Sequence, residues 1–378
     1  MGTLLPMTTS GTRSRKPADQ RRRELAEVAA GHFHRYGFHG VSLAAVAADV
    51  GITAPAVYRH FRNKNALLSG AISTGLDHVD AGLAGAGSLD EAVDRLAGAA
   101  LARPDVWVLL QREMRHLDDD ARSAATARFR TLAAAFADHV RRARPDLDEG
   151  RSGLLTTAAF AVLATPSVRP VPLGHERYRR ALAGIARAVC AAEIPTGTAV
   201  PGPAPAARPD DRLLDAAVGL FQRYGYAAVR IDDIGAAAGI AGPSVYHHFG
   251  SKMDMLVRAF RQAAALRPDP AGHDLDSLVR SYVDVVMAER ELFGVYATEE
   301  LHLPPDARRE HETSLGEQTR RWVSTLRSAR PELDDTEREL LAHAARAIAH
   351  DVARVGRLHT RPAVADETTA VALRAVRG

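Results

Sequence analysis

Only one cysteine, Cys190, occurs among the 378 residues. A single thiol can neither close an intrachain disulfide nor furnish a cysteine-rich zinc site. Its neighbours Ala188, Val189, Ala191 and Ala192 mark it as a packing residue. Aromatic residues are scarce, at 5%. Apolar runs such as residues 158–164 stop far short of the roughly 20 residues that cross a bilayer. The basic residues near the start, Arg13, Arg15 and Lys16, are not followed by an apolar stretch. No signal sequence or membrane anchor is therefore read, and a cytoplasmic location without a membrane partner is expected. Walker loops, GxGxxG, GxSxG and HExxH motifs are all missing, so no enzyme class and no cofactor suggests itself. The net charge of +3 is too small to name a partner by itself.

What the sequence does contain is a repeat. The 32 residues from Gly37 align without a gap on those from Gly225, an offset of 188. Identical pairs include Gly37/Gly225, Val41/Val229, Gly51/Gly239, Ile52/Ile240, Pro55/Pro243, Tyr58/Tyr246, His60/His248, Phe61/Phe249 and Lys64/Lys252. A fainter match follows at an offset of 186, pairing residues 112–117 with 298–303 and 143–148 with 329–334. The duplication thus covers a whole unit. Between the copies, residues 193–209 carry five prolines and no helical periodicity, the composition of an extended linker.

Within the first copy, Leu25, Val28, Ala29, Phe33 and Tyr36 recur at helical spacing, and Gly37 is placed to end that helix. Ser42 is a good N-cap for a short second helix that turns Leu43, Val46 and Ala47 inward. Gly51 supplies a turn needing positive φ. Thr53 is expected to cap a third helix, with Pro55 tolerated in its first turn. Val57 and Phe61 then face the core and leave Tyr58, Arg59 and His60 outside. Such an outer face fits a major groove.

These pieces resemble the DNA-binding domain of the tetracycline-repressor (TetR/AcrR) family. The resemblance rests on Phe33 to Gly37, Ala47 to Gly51, Tyr58 to Phe61 and Lys64, and on Phe221 to Gly225, Gly235 to Gly239, Tyr246 to Phe249 and Lys252. It implies a sequence-specific regulator of double-stranded operator DNA, associated with the nucleoid. A repressor released by an unknown small-molecule effector is the form it suggests. By position, Ala54, Pro55 and Ala56 would lie nearest base edges, with Ser42, Thr53, Tyr58, His60 and Lys64 on phosphates and sugars. Arg59 would read guanine. In the second unit the matching set is Arg230, Gly242, Pro243, Ser244, Tyr246, His247, His248 and Lys252.

The two copies differ in charge. Residues 12–68 hold ten Lys/Arg against four Asp/Glu, a net of +6, whereas residues 208–256 hold five against six, a net of −1. The first also has a basic arm of Arg13, Arg15, Lys16, Arg21, Arg22 and Arg23. Phosphate neutralisation dominates affinity for DNA, so the first unit is expected to be the stronger reader.

No strand alternation is evident, and the whole chain is expected to be all-α. The expected order is an arm (1–17), a helix-turn-helix domain (18–66), a helical regulatory domain (67–192) and the linker. A second helix-turn-helix domain (210–254) and a second regulatory domain (255–378) follow. Ser88 with Glu91 forms a capping box, and the stripe Tyr178, Leu182, Ile185 and Val189 suits either a subunit seam or ordinary core. Covalent duplication allows an intramolecular pseudo-dimer, and a homodimer is the other option. At roughly 3.1 Å per residue the linker spans about 50 Å, ample for half-sites roughly 34–36 Å apart. The rival enzyme reading comes from Glu113/His116 and Glu299/His302, because Glu-x-x-His is half of a di-iron carboxylate site, and a sensor whose second unit no longer binds DNA is the other alternative.

Overall fold

A computed structural model describes residues 17–195, 209–240, 242–268 and 274–378, with side chains at 209–211 and 242–243 outside the description. Every regular element among the described residues is helical. The expected all-α class holds.

Unit one opens with α1 (Ala18–Gly40), which breaks at Gly37, where φ is +67°. A side chain there would be strained, so glycine allows the chain to turn out of the helix. Next come α2 (Leu43–Val50), α3 (Ala54–Val57) and the long α4 (Lys64–Leu83). The regulatory part adds α5 (Leu89–Ala102) and α6 (Asp105–Val108), which runs on as a π-helical turn over Leu109–Glu113. It closes with α7 (Asp119–Ala143), α8 (Glu149–Val168) and α9 (His175–Cys190). Unit two repeats the order as α10 (Pro209–Tyr224), α11 (Ile231–Ala238), α12 (Gly242–His248), α13 (Lys252–Leu266) and α14 (Leu275–Ala288). It ends with α15 (Arg290–Thr298), α16 (Pro305–Ala329), α17 (Asp335–Arg354) and α18 (Val364–Arg377).

The caps explain several boundaries. Ser88 Oγ accepts from Glu91 N at 3.2 Å, while Glu91 returns to Gly87 N at 2.9 Å, one residue earlier than a regular capping box. Asp148 and Asp334 cap α8 and α17 in the same way, accepting from Arg151 N and Glu337 N.

The two units meet along α8 against α17 and α9 against α18. Both helices are rich in buried alanine, with Ala158, Ala159 and Ala161 on α8 and Ala342, Ala345 and Ala349 on α17. Buried apolar residues from both units form one continuous cluster across the seam, whereas helix-turn-helix one keeps a separate core around Phe33, Val57 and Leu68. Polar ties cross at the rim, where Arg177 reaches Asp334 at 2.6 Å and Arg169 reaches Glu300 at 2.8 Å. Cys190 lies within the cluster, and burial pushes its thiol up to about 12.

Candidate nucleic-acid interface

Helix-turn-helix one is held by the residues its sequence pattern singled out. Ser42 Oγ accepts from Ala45 N at 3.1 Å and starts α2. Gly51 follows α2 at φ +72°, and its left-handed turn swings the chain into α3. Val57 and Phe61 are buried, which fixes the roll of the segment between them and leaves Tyr58 56% exposed. Pro55, Arg59 and Ser42 are also exposed, while Ala54 and His60 are half-buried. Together these residues form the free polar side of the domain.

Four expectations need correction. Regular α-helix extends only over Ala54–Val57, and tighter turns carry it on, with His60 N donating to Val57 O at 2.9 Å. Thr53 does not cap with its hydroxyl; its carbonyl accepts from Ala56 N instead. Ala56 is buried and cannot approach a base edge. Lys64 is turned inward: its ammonium donates to His39 O at 3.4 Å and lies 4.8 Å from the Phe38 ring centroid, and burial lowers its pKa. Lys252 repeats this more tightly, donating to Tyr226 O at 2.8 Å and Val229 O at 2.7 Å. In both units this lysine ties the end of the first helix to the fourth, an arrangement that spacing alone does not reveal.

The basic arm divides in two. Arg21, Arg22 and Arg23 lie on the first turns of α1, and Arg13, Arg15 and Lys16 fall outside the described residues. Arg22 donates to His60 O and sits 4.3 Å from the Phe61 ring centroid, so α1 braces the end of the reading segment. His60 feels burial first and then the charges of Arg22, Arg59 and Arg21, all of which lower its pKa and favour the neutral ring. Arg62, not among the expected contacts, is exposed beside this face.

Unit two shows the same outline. Gly239 ends α11 at φ +74°, Val245 is buried, Tyr246 is 56% exposed, and His247 and His248 are exposed. Ser244 is half-buried, and the side chains of Gly242 and Pro243 fall outside the description. Arg230 brings no side-chain acceptor to the α11 start, so Asp233 accepts from Arg230 N at 2.8 Å instead. That carboxylate stands where unit one has the neutral Ala45.

The Glu-x-x-His motifs prove to be hinges. Glu113 is buried and accepts from Phe38 N at 2.8 Å, just past the break in α1. Arg112 pairs with it and donates to the last carbonyls of α1, Phe33 O at 2.9 Å and His34 O at 2.8 Å. His116 stacks on Phe38 at 5.0 Å, and burial, with Arg115 adding to it, drives its pKa down to about 3. Glu299 does the same for unit two by accepting from Tyr226 N at 3.3 Å. Thr298 stands where unit one has Arg112, and the guanidinium that pairs with Glu299 comes from Arg115 of unit one. Both carboxylates are thus spent on backbone and guanidinium. Among the described residues no group of three His, Cys, Asp or Glu could hold a metal ion. Arg115→Ala should therefore destabilise helix-turn-helix two, although Arg115 belongs to unit one. About 2 kcal/mol is expected, since Glu299 keeps two neutral donors but loses its counter-charge. Urea unfolding followed by limited proteolysis between α10 and α13 measures it; an unchanged midpoint would count against the hinge.

The model for bacterial regulatory proteins of the tetR family matches residues 25–71 and again 213–259. The HTH-type transcriptional repressor KstR2 of Rhodococcus jostii (strain RHA1) is 32% identical over 126 residues, covering 30% of this chain and 61% of that protein. The chain therefore aligns with about three fifths of that relative's length. Among solved structures, a tetR-family regulatory protein from Rhodococcus RHA1 is 21% identical with a TM-score of 0.39, covering 45% of this chain and 98% of that one. The ketosteroid transcriptional regulator KstR2 of Mycobacterium tuberculosis is 23% identical with a TM-score of 0.38, covering 46% of this chain and 95% of that one. The chain carries the N-terminal domain of the tetR family of bacterial regulatory proteins twice.

Proposed function

We propose that this chain is a ligand-responsive transcriptional repressor that binds double-stranded operator DNA as an intramolecular pseudo-dimer, with unit one as the main reader. The observation that carries the reading is the free polar face of unit one, where Tyr58 and Arg59 stand exposed next to the basic start of α1. Tyr58 meets phosphate or sugar, Arg59 and Pro55 meet base edges, and Arg21, Arg23 and Arg62 track the backbone. The family's repressor KstR2 supports repression as the outcome. The α8/α17 and α9/α18 seam supports pairing within one chain, because the faces a second chain would need are already covered. Non-identical readers then favour an operator without a palindrome. The reading places the protein in the cytoplasm with the chromosome, and it assigns no catalysis.

Selection of bound duplexes from random DNA tests the proposal, followed by gel shifts at about 50 and 200 mM salt. Tyr58→Ala should weaken binding about tenfold, the worth of one good contact, while Tyr246→Ala should cost no more than twofold. Equal losses would remove the asymmetry, and no retarded complex at the lower salt would remove the function. Light scattering should return the mass of one chain; a two-chain mass would rule out the pseudo-dimer.

A further inference from the structure

The repeat makes a comparison that a single regulator does not allow, because the same helical position is filled twice. In unit one Phe160 of α8 is buried and meets Phe136 at 5.2 Å, Trp107 at 5.4 Å and Phe129 at 6.0 Å between ring centroids. In unit two the residue 186 further on is Arg346 of α17, equally buried. By the same offset Leu96 becomes Tyr282 and Ala164 becomes His350. Unit two keeps aromatic rings at the positions of Trp107 and Phe136, as Phe293 and Trp322, but where Phe160 fills the middle of unit one it has Arg346 beside a cavity of about 100 Å³ lined also with Arg267, Tyr282, Tyr296 and His350.

Two of the cations in this cavity, Arg346 and Arg267, make no ion pair with a carboxylate among the described residues. Arg346 donates to Ala342 O at 3.1 Å, Thr319 Oγ1 at 3.0 Å and His343 Nδ1 at 2.6 Å, all uncharged acceptors. Arg267 is 4% exposed and donates to Ser314 Oγ at 3.1 Å, while its Nε and Nη1 find no partner. The Tyr296 hydroxyl also has none. Asp351 is the acid in the wall, and it is engaged by Arg354 at 2.7 Å and Gln111 at 3.0 Å. Arg169, from the end of α8, brings its own partner in Glu300. Two buried guanidinium groups without a counter-anion are costly, and unsatisfied donors among them add to that cost. Such a site is completed by an anion from outside, most strongly by one that accepts from both forks.

The cavity also has an exit. Val168, Arg169, Leu315 and His343 line it and at the same time line an outer cleft of about 770 Å³, whose wall includes Pro170 and Val323. At roughly 30 Å³ per water-sized group the inner space takes a head group and little more. A longer molecule must leave past Val168, which is 40% exposed, and Leu315. The cleft also carries Glu312, Arg320, Arg327, Asp335 and Glu339, so the aliphatic surface is the strip of Val168, Pro170, Leu315 and Val323; charge inside and that strip along the exit describe an organic acid.

We propose that unit two is the chain's sensor and takes an aliphatic carboxylic acid, with the carboxylate between Arg267 and Arg346 and the tail along Val168 and Leu315. Unit one, its core filled by Phe160, serves reading instead. This deepens, and rests on, the reading of the chain as a ligand-responsive regulator. The cavity spans the seam between units: Ala161, Ala164 and Arg169 come from unit one and Arg346 from unit two. Gln111, which faces the cavity, shares the π-helical turn with Arg112 and Glu113, the residues that hold the end of α1. An acid that draws Arg346 and Arg267 together therefore acts on the seam and on the support of helix-turn-helix one.

Thermal melting and calorimetry of the full chain test this without DNA. The probes are acetate, butyrate, hexanoate and octanoate, their neutral amides and inorganic phosphate. At least one acid should raise Tm by several degrees, the amides should not, and Arg346→Met and Arg267→Met should each weaken its binding at least tenfold. Free of ligand, Arg267→Met should melt no lower than the parent, since it removes an uncompensated charge; a clear fall would make the arginine structural and overturn the proposal. Response to amides and acids alike, to phosphate alone, or to no probe would also overturn it. Gel shifts run in parallel separate the two readings. Acid binding without DNA binding would sink the regulator, and DNA binding without acid binding would sink the sensor.

Discussion

Arg59→Glu should weaken operator binding by about two orders of magnitude, whereas His247→Glu, the matching change in unit two, should cost less than tenfold. The first figure joins the loss of a bidentate guanine contact, worth roughly 1–3 kcal/mol, to repulsion from nearby phosphate. The second is smaller because residues 208–256 carry a net charge of −1 against +6 for residues 12–68, so one more carboxylate spoils little attraction. Reselection from random DNA supplies an independent check: Arg59→Glu should lose the preference for guanine at one position, and the His247 change should leave that preference in place. Melting curves of both variants exclude misfolding, as Arg59 and His247 are exposed. A comparable loss at both positions would mean that the halves read DNA equally and that the charge difference serves something else.

Much of this face was legible because it depends on local backbone rules. Gly37 and Gly51 sit at φ +67° and +72°, where a glycine was needed, and Ser42 caps α2 as its type and place imply. Val57 and Phe61 are buried because four-residue spacing puts them on one side of a helical turn. The all-helical class followed from periodicity in the same way. What could not be read is where long side chains end. Lys64 and Lys252 were expected at phosphate but point at Phe38 and Tyr226, since a four-carbon stem reaches either surface or core. Glu113 and Glu299 had the spacing of metal ligands, yet their partners are backbone amides of a segment far away in sequence. The cationic cavity was hidden for a related reason. Arg346 and His350 interrupt the apolar stripe Leu341, Ile348 and Val352, and on a single helix such residues read as its solvated side. Only the packing of α8 against that side closes it off from water.

That burial makes acid lability the other large expected effect. His350 is held down to about 3 by burial, with Arg346, Arg354, Arg267 and Arg169 adding to the shift, and its Nε2 shares a hydrogen bond of 2.8 Å with the Tyr282 hydroxyl. His343 is lowered as well, by burial above all, against the opposing pull of Glu339 at 3.4 Å. Both rings are neutral in the folded chain and titrate near 6.5 once it unfolds. Below that pH the unfolded state binds the extra protons. The stabilisation is therefore complete above 6.5 and is lost as pH falls towards the folded values. Two such groups give a slope of roughly 2.7 kcal/mol per pH unit, or about 4 kcal/mol by pH 5, a large share of the roughly 5–15 kcal/mol that stabilises an ordinary domain. Carboxylates such as Asp335, held down to about 2 by Arg327 and Arg338, begin to contribute only at lower pH. Chemical unfolding between pH 7.5 and 5, in a buffer free of carboxylate, should show the decline starting just below 6.5. His350→Leu should reduce the slope by about one proton, even though it leaves the Tyr282 hydroxyl without this partner. A stability that stays level down to pH 5, or the same slope in the variant, would show that the ring is not kept neutral by its burial beside the arginines.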